Sequence, residues 1–169
     1  MRLAQLCLLT GLAACGSTGT QHDTSRLYAA DRLETADPAR MAPVDRVEFG
    51  LRLNDVRGPA GIVSADPILT GVAQEYSRDI ERHGRRILDG DDLHVGRDGS
   101  TAAERVLAAG YDYEWVGENI AQGYRRNEAV IDAWLGSGSH REVLLEPRAE
   151  DFGIGRTDTT WVLLMGAER

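Results

Sequence analysis

Apolar positions recur at helical spacing through the first two thirds of the chain and close up into a continuous run near its end. Val44, Val47, Leu51 and Val56 predict a helix starting near Pro43, with those residues as its apolar face. It should stop at "RGPAG", residues 57–61, where Gly58 and Pro59 cannot continue it. Ile68, Val72, Tyr76 and Ile80 predict a second helix, with Asp66 as N-cap and Pro67 in the first turn. It ends near Gly84, where Arg82, His83, Arg85 and Arg86 meet the negative end of the helix dipole. Residues 87–99, "ILDGDDLHVGRDG", read as a loop. A third helix follows, with Thr101 and Glu104 at capping-box spacing and Gly110 as its stop. "YDYEWV" reads as a short extended piece, and a fourth helix runs from about Asn127 to Leu135 until Gly136 and Gly138 break it. "DFGIG" and "TTWVLLMGA" predict two strands joined through "RTDT" as a hairpin turn. The second strand is apolar on both faces, as a fully buried strand must be. Helices first and strands last give an α+β domain with helices packed on a small, mainly antiparallel sheet.

Composition changes this picture in two ways. The 169 residues suffice for one domain of ordinary size, and the net charge of −8 argues against nonspecific attraction to nucleic acid. The N-terminus bears on the compartment. "MRLAQLCLLTGLAAC" has one positive charge, Arg2, and an apolar run from Leu3 to Ala14, too short to span a bilayer and patterned as a secretory signal. Its end, "LAAC", resembles the bacterial lipobox, which implies cleavage before Cys15 and a lipid on that residue. An ordinary signal peptide would instead leave Cys15 over. The lipobox reading divides the chain into a signal peptide at 1–14, a lipidated cysteine and flexible tether at 15–41, and a domain at 42–169. Cys7 would leave with the signal and Cys15 would be blocked, so no disulfide could hold the domain. Within the tether, Leu27, Tyr28 and Leu33 could form a short docking helix. The expected location is exported and membrane-anchored through Cys15. Gly16 after the cysteine resembles lipoproteins of an outer membrane; in a cell without one, the cell surface is expected.

Several separated stretches then match one family in order: "LRLNDVRGPAG", "ADPILTGVAQEYSRDI", "LHVGRDGSTAAERVLAAGY", "VGENIAQG", "AWLGSGSHREVLL" and "FGIGRTDTTWVLLMG". The sequence resembles the bacterial branch of the CAP superfamily, which includes cysteine-rich secretory proteins, antigen 5 and pathogenesis-related proteins. The resemblance covers about residues 43 to 166. It implies a three-layer α-β-α sandwich and a cleft in which His94, Glu118 of "GEN" and His140 of "SGSHR" converge. Two positions depart from relatives. Ser137 stands where eukaryotic members carry a second glutamate after tryptophan, and Leu163 stands where relatives often place a glutamine. Both changes make the cleft less polar.

The chemistry of such a cleft stays open at this point. Two imidazoles and a carboxylate with a free fourth position can hold catalytic zinc, which makes His94, Glu118 and His140 a candidate metal set. Their spacings of 24 and 22 residues match no compact metal motif. Alternatively, Glu118 accepts hydrogen bonds from the histidines and locks two loops, or acts as a general acid or base in a partly dry cleft. A Ser–His–acid site needs the hydroxyl within reach of the imidazole. Ser139 is adjacent to His140 and should aim elsewhere; Ser137 is one turn away, but Gly136 and Gly138 work against a helical turn, and no G-x-S-x-G elbow occurs. Asn119 is expected to serve the turn after Glu118, and Trp115 to stand beside the cleft. Residues 89–92, "DGDD", lack the calcium-loop pattern and read as solvated surface. The leading expectation is an exported CAP-domain protein whose cleft binds a lipid, glycan, peptide or protein of the envelope without turning it over. A metal-assisted hydrolase of peptide or cell-wall substrate, and a purely structural envelope module, are the alternatives.

Overall fold

A computed structural model describes residues 43–169. The signal peptide, the lipidation of Cys15 and the tether with Leu27, Tyr28 and Leu33 fall outside the described residues. The elements in chain order are α1 (Pro43–Arg57), β1 (Ser64–Ala65), α2 (Pro67–Arg82), α3 (Ala102–Ala108), β2 (Tyr113–Gln122), α4 (Asn127–Gly136), α5 (Gly138–Leu144), β3 (Asp151–Thr157) and β4 (Thr160–Glu168). Single 3-10 turns lie at Gly58–Ala60 and Ile87–Asp89. The sheet order is β1-β3-β4-β2, with β1 parallel to β3 and the remaining pairs antiparallel.

The central strand β4 explains the three layers. Trp161, Leu163 and Met165 point into one apolar cluster with Phe49, Leu53, Ile131, Trp134 and Leu144 from α1, α4 and α5. Val162 and Leu164 point into a second cluster with Leu69, Ala73, Ile80 and Val106 from α2 and α3. Both faces of one strand are therefore dry, which is why its sequence is apolar without alternation. Leu163 is fully buried in the first cluster. Helix α2 lies directly on β3: a Cβ at Gly153 or Gly155 would come within 2.1 or 2.3 Å of its backbone. Asp66 caps α2 through Leu69 N–H, and Thr101 and Glu104 form the capping box of α3. The hairpin between β3 and β4 turns at Asp158, with φ of +50°.

Three sequence expectations change. Part of the apolar stripe expected on α1 lies outside: Val47 and Leu51 are 65% and 67% exposed, while Val56 packs partly buried on the core and Phe49, Leu53 and Arg57 take the inner face. The larger Phe49 ring fits between Trp134, Phe152 and Trp161, with ring centres 6.2–6.4 Å away, and that packing sets the helix rotation. Arg57 can be buried because its guanidinium donates to the carbonyls of Ala60, Gly61, Leu144, Glu146 and Ala149. Asn54 joins it by bonding both the N–H and the C=O of Val63. The piece "YDYEWV" and the "GENIAQG" after it belong to one strand, β2, paired with β4 from Tyr113 to Gln122. Glu118 and Asn119 are thus strand residues rather than parts of a turn. Gly117 suits this strand because a Cβ there would collide with the Trp115 ring and Val143. Finally, "SGSHR" does not end helical structure: α4 stops at Gly136 and α5 starts at Gly138, with the Arg141 N–H donating to Ser137 O at 2.8 Å.

Candidate functional site

Because β2 is a strand, successive side chains leave opposite faces of the sheet. Glu118 pairs with Leu164 and faces the α2–α3 layer; Asn119 pairs with Leu163 and faces the α5 layer. The two halves of the expected cleft are therefore built on different sides of one edge strand.

On the Glu118 side the arrangement is closed. The carboxylate, 4% exposed, accepts from His94 Nδ1 at 3.0 Å through Oε1 and from Arg105 Nη2 at 2.7 Å through Oε2. Arg105 reaches it from α3. Its guanidinium also donates to Ser100 O at 2.8 Å and stacks on the Tyr76 ring, 3.5 Å from the centroid. The hydrogen bond to Glu118 raises the His94 pKa above its usual value. His94 itself is 52% exposed.

On the other side, His140 lies on the first turn of α5. Its Nδ1 is 2.9 Å from Ser137 Oγ. Burial, and then the charge of His94, hold the His140 pKa below the usual histidine value, so the ring is neutral at neutral pH and its Nδ1 can accept the serine proton. Asn119, fully buried, donates its Nδ2 to the backbone carbonyl of His140 at 2.9 Å and so ties β2 to α5. Among the described residues no hydrogen bond joins His140 to His94 or Glu118. The structure thus pairs His94 with Glu118 and His140 with Ser137; the two pairs are linked by charge and through Asn119 beside Glu118.

An open cavity of about 630 Å³ runs along the second half of β2. Ile120 to Tyr124 border it, with Ile87 and Leu88 from the 3-10 turn, Ala133 and Trp134 from α4, and Ser137 and His140 at the start of α5. Leu88 is 99% exposed. The side chain of Gln122 holds the 3-10 turn in place, accepting from Ile87 N–H and donating to Arg85 O. His94, Glu118, Asn119 and Trp115 are not part of this wall. Trp115 instead packs against the α1–α4–α5 cluster with Arg148 over its ring.

The residues of the candidate metal set do not fit a zinc ion. Among the described residues no three His, Cys, Asp or Glu side chains gather as a metal ion requires. Both oxygens of Glu118 are engaged, one by a guanidinium whose charge repels a cation. Arg105 is the residue that sequence reasoning overlooked. A signal existed: Arg105 adjoins Val106, the buried residue of a seven-residue helix, and a charge on an inward-facing turn needs a buried partner. Ile87 and Leu88 lie within the stretch read as a loop, and nothing local marks them as a cavity wall.

Among known proteins, a stretch of 56 residues, 33% of this chain, is 38% identical to the uncharacterized protein YkwD of Bacillus subtilis. That stretch spans only 22% of the relative's length. An outer surface protein from Borrelia burgdorferi shares the fold at a TM-score of 0.66 and 22% identity, over 77% of this chain and 98% of that one. An extracellular protein containing an SCP domain from Bacillus anthracis superposes at 0.64 with 21% identity, over 72% of this chain and 39% of that one. The CAP family model, that of the cysteine-rich secretory proteins, matches residues 52–162. The chain therefore belongs to the CAP family of cysteine-rich secretory proteins.

Proposed function

We propose that this domain is an exported binding module that lodges the apolar part of an envelope ligand in the cavity beside β2. The observation that carries this reading is the wall itself: about 630 Å³ whose apolar lining is Ile87, Leu88, Ile120, Ala133 and Trp134, with Arg86, Asp89, Gln122 and Thr159 on its polar side and an exposed leucine at the lip. Holding Leu88 in water forgoes roughly 1.5–3 kcal/mol of burial that a bound apolar group would supply. Sites for small ligands have this form, apolar with a few polar groups that set orientation; Ser137 and His140 are placed to be those groups. The His94–Glu118–Arg105 cluster then serves as the lock that fixes α3 and the preceding loop against the edge strand. Export agrees with the N-terminal signal pattern and with similarity to an outer surface protein and an extracellular protein. Anchoring through a lipid on Cys15 completes the proposal.

The test is titration with a fluorescent polyene fatty acid, read by the rise in the probe's own emission under direct excitation. Saturable one-to-one binding is expected, weakened at least tenfold by Ala133→Trp, which fills the cavity. Absence of saturation, or an unchanged affinity in Ala133→Trp, overturns the reading.

A further inference from the structure

We propose that Ser137 is a nucleophile, activated by His140, that takes up the acyl group of an ester whose chain lies in the cavity. This rests on the binding reading above and adds a covalent step to it.

Several observations converge on the pair. Ser137 Oγ and His140 Nδ1 are 2.9 Å apart, within reach for a general base to take the hydroxyl proton. Both residues border the same cavity. Ser137 occupies the N-cap position of α5 yet makes no side-chain capping bond, so its hydroxyl is directed to the imidazole and not to the helix backbone. The three-residue offset is held rigid: Arg141 N–H closes the turn on Ser137 O, and Asn119 Nδ2 holds His140 O at 2.9 Å. The apolar wall beginning at Trp134 and Ala133 gives an acyl chain a place to lie while its carbonyl faces Ser137.

The step balances without redox chemistry. Ser137 Oγ bonds to the ester carbonyl carbon as its proton passes to His140 Nδ1. The tetrahedral intermediate then loses its bond to the alcohol oxygen, and that oxygen receives the proton from Nδ1. The products are an acyl-Ser137 ester and a free alcohol. Release is slow by construction. Among the described residues no carboxylate bonds His140, since Glu118 is engaged by His94 and Arg105, so the imidazolium formed in each half of the reaction has no stabilising partner. An activated ester with a good leaving group still acylates Ser137, whereas water must expel the poorer Ser137 alkoxide. The expected behaviour is stoichiometric capture, not rapid turnover.

The chain has no lysine; Cys7, Cys15 and the N-terminal amine are the remaining competing sites. The thiols are therefore first blocked with iodoacetamide, except in Ser137→Cys, which carries Cys7→Ser and Cys15→Ser instead, and the adduct is scored at residue 137. The full chain is incubated with p-nitrophenyl hexanoate, and intact mass and peptide mapping are recorded. One hexanoyl group per chain on Ser137 is expected, absent in Ser137→Ala and in His140→Asn, restored in Ser137→Cys and retained in Ser139→Ala. No adduct in the native chain, or an adduct that persists in Ser137→Ala, overturns the proposal. Saturable fatty-acid binding without an adduct sinks the acyl transfer alone. An adduct without saturable binding sinks the cavity reading instead.

Discussion

The middle of β2 and its C-terminal end carry opposite solutions to the same problem of an edge strand. Around Glu118 the polar groups pair with one another, and the carboxylate is almost fully covered. From Ile120 to Gln122, and on through Gly123 and Tyr124 beyond it, the chain borders open, largely apolar space, and a leucine at its rim is left in water. The difference separates stability from recognition. A buried carboxylate that already accepts two charged donors has little left to offer a ligand, whereas an apolar wall gains free energy only when something fills it. The glutamate of "GEN" is thus a joint between α3 and the sheet, and the binding proposed above lies at the far end.

Breaking the closed end should have the largest effect. Glu118→Ala leaves Arg105, 12% exposed, without its carboxylate, and removing one partner of such a pair costs about 3–5 kcal/mol. Urea unfolding should show that loss, while fatty-acid affinity in the folded fraction changes less than twofold. A parallel loss of affinity would mean the two ends are not separate. Next in size is Ala133→Trp at the open end. A tenfold loss of affinity corresponds to about 1.4 kcal/mol, and the midpoint of unfolding should move little.

The two histidines sharpen the comparison through pH. The folded pKa of His94 is raised by Glu118. Its contribution is fully present below the unfolded value of 6.5 and is lost as pH rises through the higher folded value. The folded pKa of His140 is lowered by burial. The unfolded chain then binds that proton more readily, so stability falls as pH drops from 6.5 toward the folded value. Stability measured against pH should therefore lose its decline above 6.5 in His94→Ala and its acid-side decline in His140→Asn. Identical profiles in both variants would contradict the assignment of the pairs. The smallest stability effect is expected for Leu88→Asp. This residue is 99% exposed, so unfolding free energy should stay within about 0.5 kcal/mol, while fatty-acid affinity falls several-fold.

Much of the fold was legible along the chain because its signals are local. The Asp66 cap, the Thr101–Glu104 box, the Asp158 turn and the doubly apolar β4 each depend on residues a few positions apart, and each lies where the sequence places it. The alliance of His94 with Glu118 was also readable, through the family motifs. What only the tertiary structure decided involves competition between distant groups. Val47 and Leu51 lost the inner face of α1 to Phe49, whose ring had three aromatic neighbours from other elements. Arg105 took the carboxylate oxygen that a metal or a second histidine would have needed. Ser137 and His140 became partners because the Ser137 carbonyl accepts the Arg141 N–H that closes the first turn of α5. Hydrogen-bond caps and periodicity act within a turn or two of the chain; which face is buried, and which of several donors reaches one acceptor, depends on the whole set of packed elements.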